Sequence, residues 1–262
     1  MIKRIVLAFQ FLTIIPVKDV GKVSEEKMGS ATAFFPLIGI VEGLMLAISA
    51  ILFLKIVPVE VTNALLVFLL VIINGGLRLD GLADTFDAIA SRGDREKKHS
   101  IMKDSSIGPT GVIAIVMALL LKYVLLNAIY FHSGTALFFS ALIIMPLVSR
   151  WSMVPAAYYC KSAGHDGLGR MFIENTGAGE LLTATALAVA FALVICGFSA
   201  QYLFFTFYVM FVLPVLFMFS WSAVWFFRKN FGGMSGDSFG ALNELAVLIF
   251  LMTSVIWLQK FI

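Results

Sequence analysis

About seven apolar runs, each near the length that crosses a bilayer, divide this chain into spans joined by polar loops. They cover roughly residues 31–54, 61–77, 111–130, 135–159, 181–199, 202–227 and 241–259. A hydrocarbon core of about 30 Å takes about 20 helical residues, and within it a helix satisfies its own backbone polar groups. Composition agrees. The chain of 262 residues is 60% hydrophobic and 13% charged, where a soluble domain carries about 25% charged residues. The predicted fold is all-α: a polytopic membrane helix bundle, one domain over residues 1–262.

An eighth stretch, Ile5–Val17, is short for a crossing and ends at Pro16. It reads as an interfacial or re-entrant helix. No small-residue cleavage site follows it, so no cleavable signal is expected. Cys160 and Cys196 lie in or beside apolar segments without metal-ligand spacing and read as buried thiols.

Basic residues orient the spans. One set of loops carries Lys18, Lys22 and Lys27, then Arg78, Arg92, Arg95, Lys97, Lys98 and Lys103, then Lys161 and Arg170, then Arg228 and Lys229. The alternate side carries Lys55 and Lys260. The expected location is a cell membrane, crossed several times, with the rich side facing the cytoplasm. The polar segments 77–110, 161–180 and 228–240 fall on that side, and the chemistry with them.

Three segments carry the candidate chemistry. In Asp80-Gly-Leu-Ala-Asp-Thr-Phe-Asp87, a helix puts Asp80, Asp84 and Asp87 on one face. Carboxylates stacked so closely repel one another unless a cation joins them or some are protonated. All-oxygen donors suit a hard ion such as Mg²⁺, so these three are the candidate metal ligands. The bland reading is an acidic helix end paired with Arg78 and Arg92.

The second segment is Arg92–Gly111, a basic loop that turns into a span through Lys103, Asp104 and the glycines 108 and 111. Backbone N–H groups at that helix start favour an anion, and phosphate fits. A positive-inside loop accounts for Lys97 and Lys98 without function. The third is Gly232–Glu244, where Gly233 and Gly236 let the backbone approach a phosphate. Asp237 and Glu244 are spaced to share a helical face, and a carboxylate inside a span is costly without a cation, partner or water. The bland reading makes Asp237 a helix cap. Arg150, inside an apolar run, and Arg170, beside His165 and Asp166, are further candidates for phosphate contact. Glu42 and Lys122 also fall within spans and read as snorkelling or paired charges.

Taken together, these motifs resemble the cobalamin synthase family, the adenosylcobinamide-GDP ribazoletransferases. The matching pieces are Phe11-Leu-Thr13, Phe35-Pro-Leu-Ile-Gly39, Asp80–Asp87, Ile101-Met-Lys-Asp-Ser105, Gly167-Leu-Gly169 and Gly232–Ala241 with Glu244. They follow the family order along essentially the whole chain. Ala88 stands where the family usually has Gly, Arg78 where His is frequent, and Ser106 where Arg is frequent.

The resemblance implies a Mg²⁺-dependent transferase. It would join adenosylcobinamide-GDP to α-ribazole or its 5′-phosphate and release GMP. Asp80, Asp84 and Asp87 would hold the metal. Asp237, Asp104 and Glu244 are the candidates for catalysis. Lys103, Arg92, Arg150, Arg170, Gly233 and Gly236 are the candidates for phosphate binding. The lipid bilayer is a partner, nucleic acid is not, and self-association is compatible with the sequence.

Two other readings stand beside this one. A CDP-alcohol-type phospholipid transferase also places helical aspartates at a membrane face, but its Ala-Arg pair after the second Asp-Gly is missing here. An ion-coupled transporter would use Glu42, Lys122, Arg150 and Glu244 as pathway charges. The polar residues cluster on one side instead of at the midplane.

Overall fold

In a computed structural model, residues 1–17, 21, 24–104, 106–160, 162–163, 168–197 and 202–261 are described. His165, Asp166, Gly167, Lys161, Ser105, Lys18 and Lys22 lie outside them. The described residues form helices and no named strand. The helices are α1 (Ile2–Leu12), α2 (Glu25–Gly29), α3 (Phe35–Phe53), α4 (Val59–Asn74), α5 (Leu77–Ala90) and α6 (Arg95–Met102). After them come α7 (Pro109–Tyr159), α8 (Leu168–Glu174), α9 (Ala178–Gly197), α10 (Tyr202–Phe231) and α11 (Gly236–Phe261), with a 3₁₀ turn at Ser30–Phe34 before α3.

Among the described residues, five continuous helical stretches are long and apolar enough to cross a membrane, and α4 with α5 passes the same test as a bent pair. The longest, α7, runs 51 residues. Straight, it would measure about 77 Å, more than twice a bilayer core. It is not straight. Gly134 sits at φ 73°, ψ 172°, a conformation open chiefly to glycine. The two arms fold back on one another there, because Lys122 and Arg150 meet adjacent residues of α11, Glu244 and Asn243. In one straight helix those two side chains would start about 42 Å apart. Dividing α7 at Gly134 and counting the bent pair once restores the seven crossings that the sequence predicts.

The bend between α4 and α5 is 88°. Gly75 and Gly76 both adopt positive φ, at 62° and 72°. Gly75 N–H donates to Ile72 and Gly76 N–H to Val71, the paired bonds of a Schellman ending. Thus α4 supplies the crossing, and α5 runs along the membrane face outside it.

Helix α1, at 11 residues, spans about 16 Å and cannot cross. It buries Leu7, Ala8 and Leu12, as the interfacial reading expected. It ends at Leu12, before Pro16, because Thr13 turns extended there and caps it.

Large apolar side chains that stay exposed, such as Phe68, Ile113, Leu182, Phe207 and Trp221, suit contact with lipid tails. Buried polar groups lie inside that belt. Arg150, 1% exposed, donates to Glu42 at 2.6 and 2.7 Å, to Asn74 at 2.6 Å and to Asn243 at 2.7 Å. Lys122 pairs with Glu244 beside it. This layer ties α3, α4, both arms of α7 and α11 together about 10 Å beneath the start of α11.

Candidate active site

The face bearing the loops gathers the three predicted segments. Helix α5 crosses the first turn of α11 at Gly81. A methyl group there would stand 2.5 Å from the Asp237 carbonyl oxygen and 2.7 Å from its Cα. Glycine therefore lets the Asp80–Asp84 backbone lie directly against Asp237. Residues 162–163 and Gly169 contact the turn leading into α11. Ala163 N–H donates to the Met234 carbonyl at 3.0 Å, and Gly169 packs against the Gly236 backbone.

Asp80 is exposed, while Asp84 and Asp237 are half-buried. Burial first, then the carboxylates of Asp80, Asp237 and Asp87, push the Asp84 carboxyl up to about 7. A site that penalises its own negative charge in this way favours an incoming cation. Among the described residues, no three acidic, His or Cys side chains enclose an ion by themselves. Mg²⁺ commonly takes one or two carboxylates and completes its shell with water and substrate phosphate. The donors here fit that arrangement.

The structure gives Asp87 a different job from its expected place in the metal set. Its two carboxylate oxygens accept the N–H groups of Gly108 and Gly111, at 2.7 and 2.8 Å. Asp87 thus fills the N-terminus of α7, the very anion site that the Gly108–Gly111 sequence suggested for phosphate. Cβ atoms at Gly108 and Gly111 would collide with that carboxylate.

The other candidate residues are placed as follows. Arg150 is committed to Glu42, Asn74 and Asn243 in the buried layer, which replaces phosphate contact. Glu244 pairs with Lys122, about 10 Å below Asp237 along α11, and this buried pair replaces a catalytic place beside Asp237. Asp104 is exposed and bonds Ser106 N–H at 3.1 Å. The Ser106 backbone and hydroxyl hold its carboxyl below the usual range. Lys103 and Arg92 are exposed on the loops flanking α6. Arg170 pairs with Glu174 at 2.8 Å. Gly233 is buried and Gly236 starts α11 beside Asp237.

From sequence, Arg78 reads as a loop charge, as a partner for the acidic helix end and as a departure from the frequent His, but not as a site residue. It is 6% exposed and lines a pocket of about 180 Å³ with Asp80, Asp237 and Asn74, walled by Phe11 and Phe239. A guanidinium placed two residues before a conspicuous aspartate was the available signal. Arg95 and His99 serve packing. They bond the carbonyls of Lys229 and Phe231 at the end of α10, at 3.1 and 2.7 Å.

Residues 4–255 match the family model for cobalamin-5-phosphate synthase. An adenosylcobinamide-GDP ribazoletransferase of Geotalea daltonii is 38% identical over 97% of this chain and 98% of its own length. Another protein of that name, from Caldanaerobacter subterraneus subsp. tengcongensis, is 34% identical over 95% and 96%. A third, from Clostridium acetobutylicum, is 31% identical over 96% and 95%. No solved structure matches the chain.

Proposed function

The chain belongs to the cobalamin-5-phosphate synthase family, and we propose that it joins adenosylcobinamide-GDP to α-ribazole, or to its 5′-phosphate, releasing GMP at the cytoplasmic membrane face. The observation that carries this reading is the convergence of Asp80, Asp84 and Asp237 across Gly81, with Asp80 and Asp237 lining one pocket. Transfer from a diphosphate demands little covalent work from the protein. It demands placement and neutralisation of charge.

Asp80 and Asp84 are the ligands for Mg²⁺. When bound with the diphosphate, the ion would neutralise charge on the transferred and leaving phosphates. Asp87 supports them indirectly by fixing α5 against the start of α7. Asp237, held between Asp80 and the glycine-rich turn, accepts the proton of the attacking ribazole hydroxyl. The bond from that oxygen to the cobinamide phosphate forms as the bond to GMP breaks, and the electron pair leaves with GMP. The walls Phe11 and Phe239 limit water at the reacting phosphorus.

Purified protein incubated with adenosylcobinamide-GDP, α-ribazole and Mg²⁺ should release GMP and a cobalamin product in equal amounts. Neither product forming in well-folded protein would sink the proposal.

A further inference from the structure

Arg78 is a buried lining residue of the pocket. A guanidinium has five N–H donors. The structure accounts for two contacts: Nη2 donates to the Leu12 carbonyl at 2.6 Å, and Nη1 approaches the Met153 sulfur at 3.7 Å. Nε is buried without a partner. The buried carboxylates of the same region, Glu42 and Glu244, already have cations of their own in Arg150 and Lys122. Among the described residues, no carboxylate pairs with Arg78. A charge that has left water without an opposite charge is an expensive arrangement. It is stable to keep where an anion arrives. The pocket suits that, because Arg78 is its buried cation while Asp80 is exposed and Asp237 half-buried along the same lining.

We propose that Arg78 binds a phosphoryl oxygen of the diphosphate substrate in the pocket that it lines with Asp80 and Asp237. This rests on the transferase reading above. The planar fork suits phosphate better than an ammonium does. Its bond to Leu12 makes the end of α1 part of the substrate site, since that carbonyl holds the guanidinium in place. A cation bound by the aspartates and a fixed guanidinium would together hold the diphosphate.

The experiment has two arms on detergent-purified protein. The first measures kinetics for wild type and Arg78→Gln with each substrate varied in turn. The expected result is a fall of roughly 10- to 100-fold in kcat/KM for the diphosphate substrate, with the KM for α-ribazole unchanged. The second arm measures thermal protection by inorganic pyrophosphate with Mg²⁺. Pyrophosphate should protect wild type and not Arg78→Gln. Where Arg78→Gln does not fold, Arg78→Met keeps the apolar stem against Met153 and carries the same test.

Equal protection of both proteins overturns the proposal, and so does an equal loss toward both substrates. Arg78 is then only a tether for α1. Wild type that pyrophosphate protects but that turns nothing over overturns the reaction and leaves Arg78 as an anion receptor.

Discussion

Asp84 sets the terms at the scale of a single residue. With its carboxyl raised to about 7 by burial and like charges, a proton would compete with the proposed Mg²⁺ for the same oxygens. Below that pH the proton wins, and above it the carboxylate is free for a metal. The Mg²⁺ concentration giving half-maximal rate should therefore fall as pH rises from 6 to 8, a trend that a metal titration at each pH reads directly. The sign for stability is opposite. A carboxyl raised from its unfolded value binds its proton more readily in the folded state. Metal-free protein should lose stability as pH climbs through about 7, and Asp84→Asn should flatten that slope. Asp84→Asn and Asp80→Asn should each cut turnover by two orders of magnitude or more without lowering thermal stability. Near-normal rates at limiting Mg²⁺ would remove both from the metal site. Spacing alone put these two aspartates on one helical face, and the structure brings that face against Asp237. Asp87 shares their helical face but not their environment. Periodicity reports which side a residue occupies and not which backbone donors wait there.

Elements explain the remaining difference. Asp87 belongs to the junction of α5 and α7, where it satisfies two otherwise unpaired amides. Asp87→Ala should therefore lower stability by about 1 kcal/mol or more, visible as a drop in melting temperature in detergent. Asp84→Asn should not. Equal melting temperatures for the two would return Asp87 to the metal set. The apolar runs gave the spans closely because hydropathy registers length. The 88° bend after α4 was not legible, since a glycine pair permits a turn without fixing its angle. Likewise the partners of Arg150 come from α3, α4 and α11. No local pattern identifies contacts that only the assembled bundle creates. Removing one member, as in Glu42→Gln, leaves a buried cation short of a partner and should cost about 3–5 kcal/mol, read as loss of folded protein on size-exclusion chromatography.

For the whole molecule, the alternation of crossings puts the helix ends near residues 78, 109, 159, 178 and 231–236 on the same face as the site. Single cysteines at Lys97 and Asn230, with Cys160 and Cys196 replaced, should resist an impermeant thiol reagent in intact cells and react once the cells are opened. Labelling of either from outside would reverse the orientation.

The hairpin at Gly134 also has a consequence in time. Lys122 stands at the middle of the first arm of α7, yet its partner Glu244 follows 122 residues later. At a synthesis rate of about 5–20 residues per second, the lysine waits about 6–24 s for that carboxylate. During this interval an unpaired ammonium at helix centre costs about 2.5–3.5 kcal/mol, and only the apolar residues around it hold the arm in the bilayer. The expected consequence is that the nascent protein is most exposed to quality-control proteases just before its last helix is made. Chains stopped at residue 235 should be degraded quickly in cells, and Lys122→Met should lengthen the life of the stopped chains. If that substitution leaves their half-life unchanged in a pulse-chase, the waiting lysine is not what marks them.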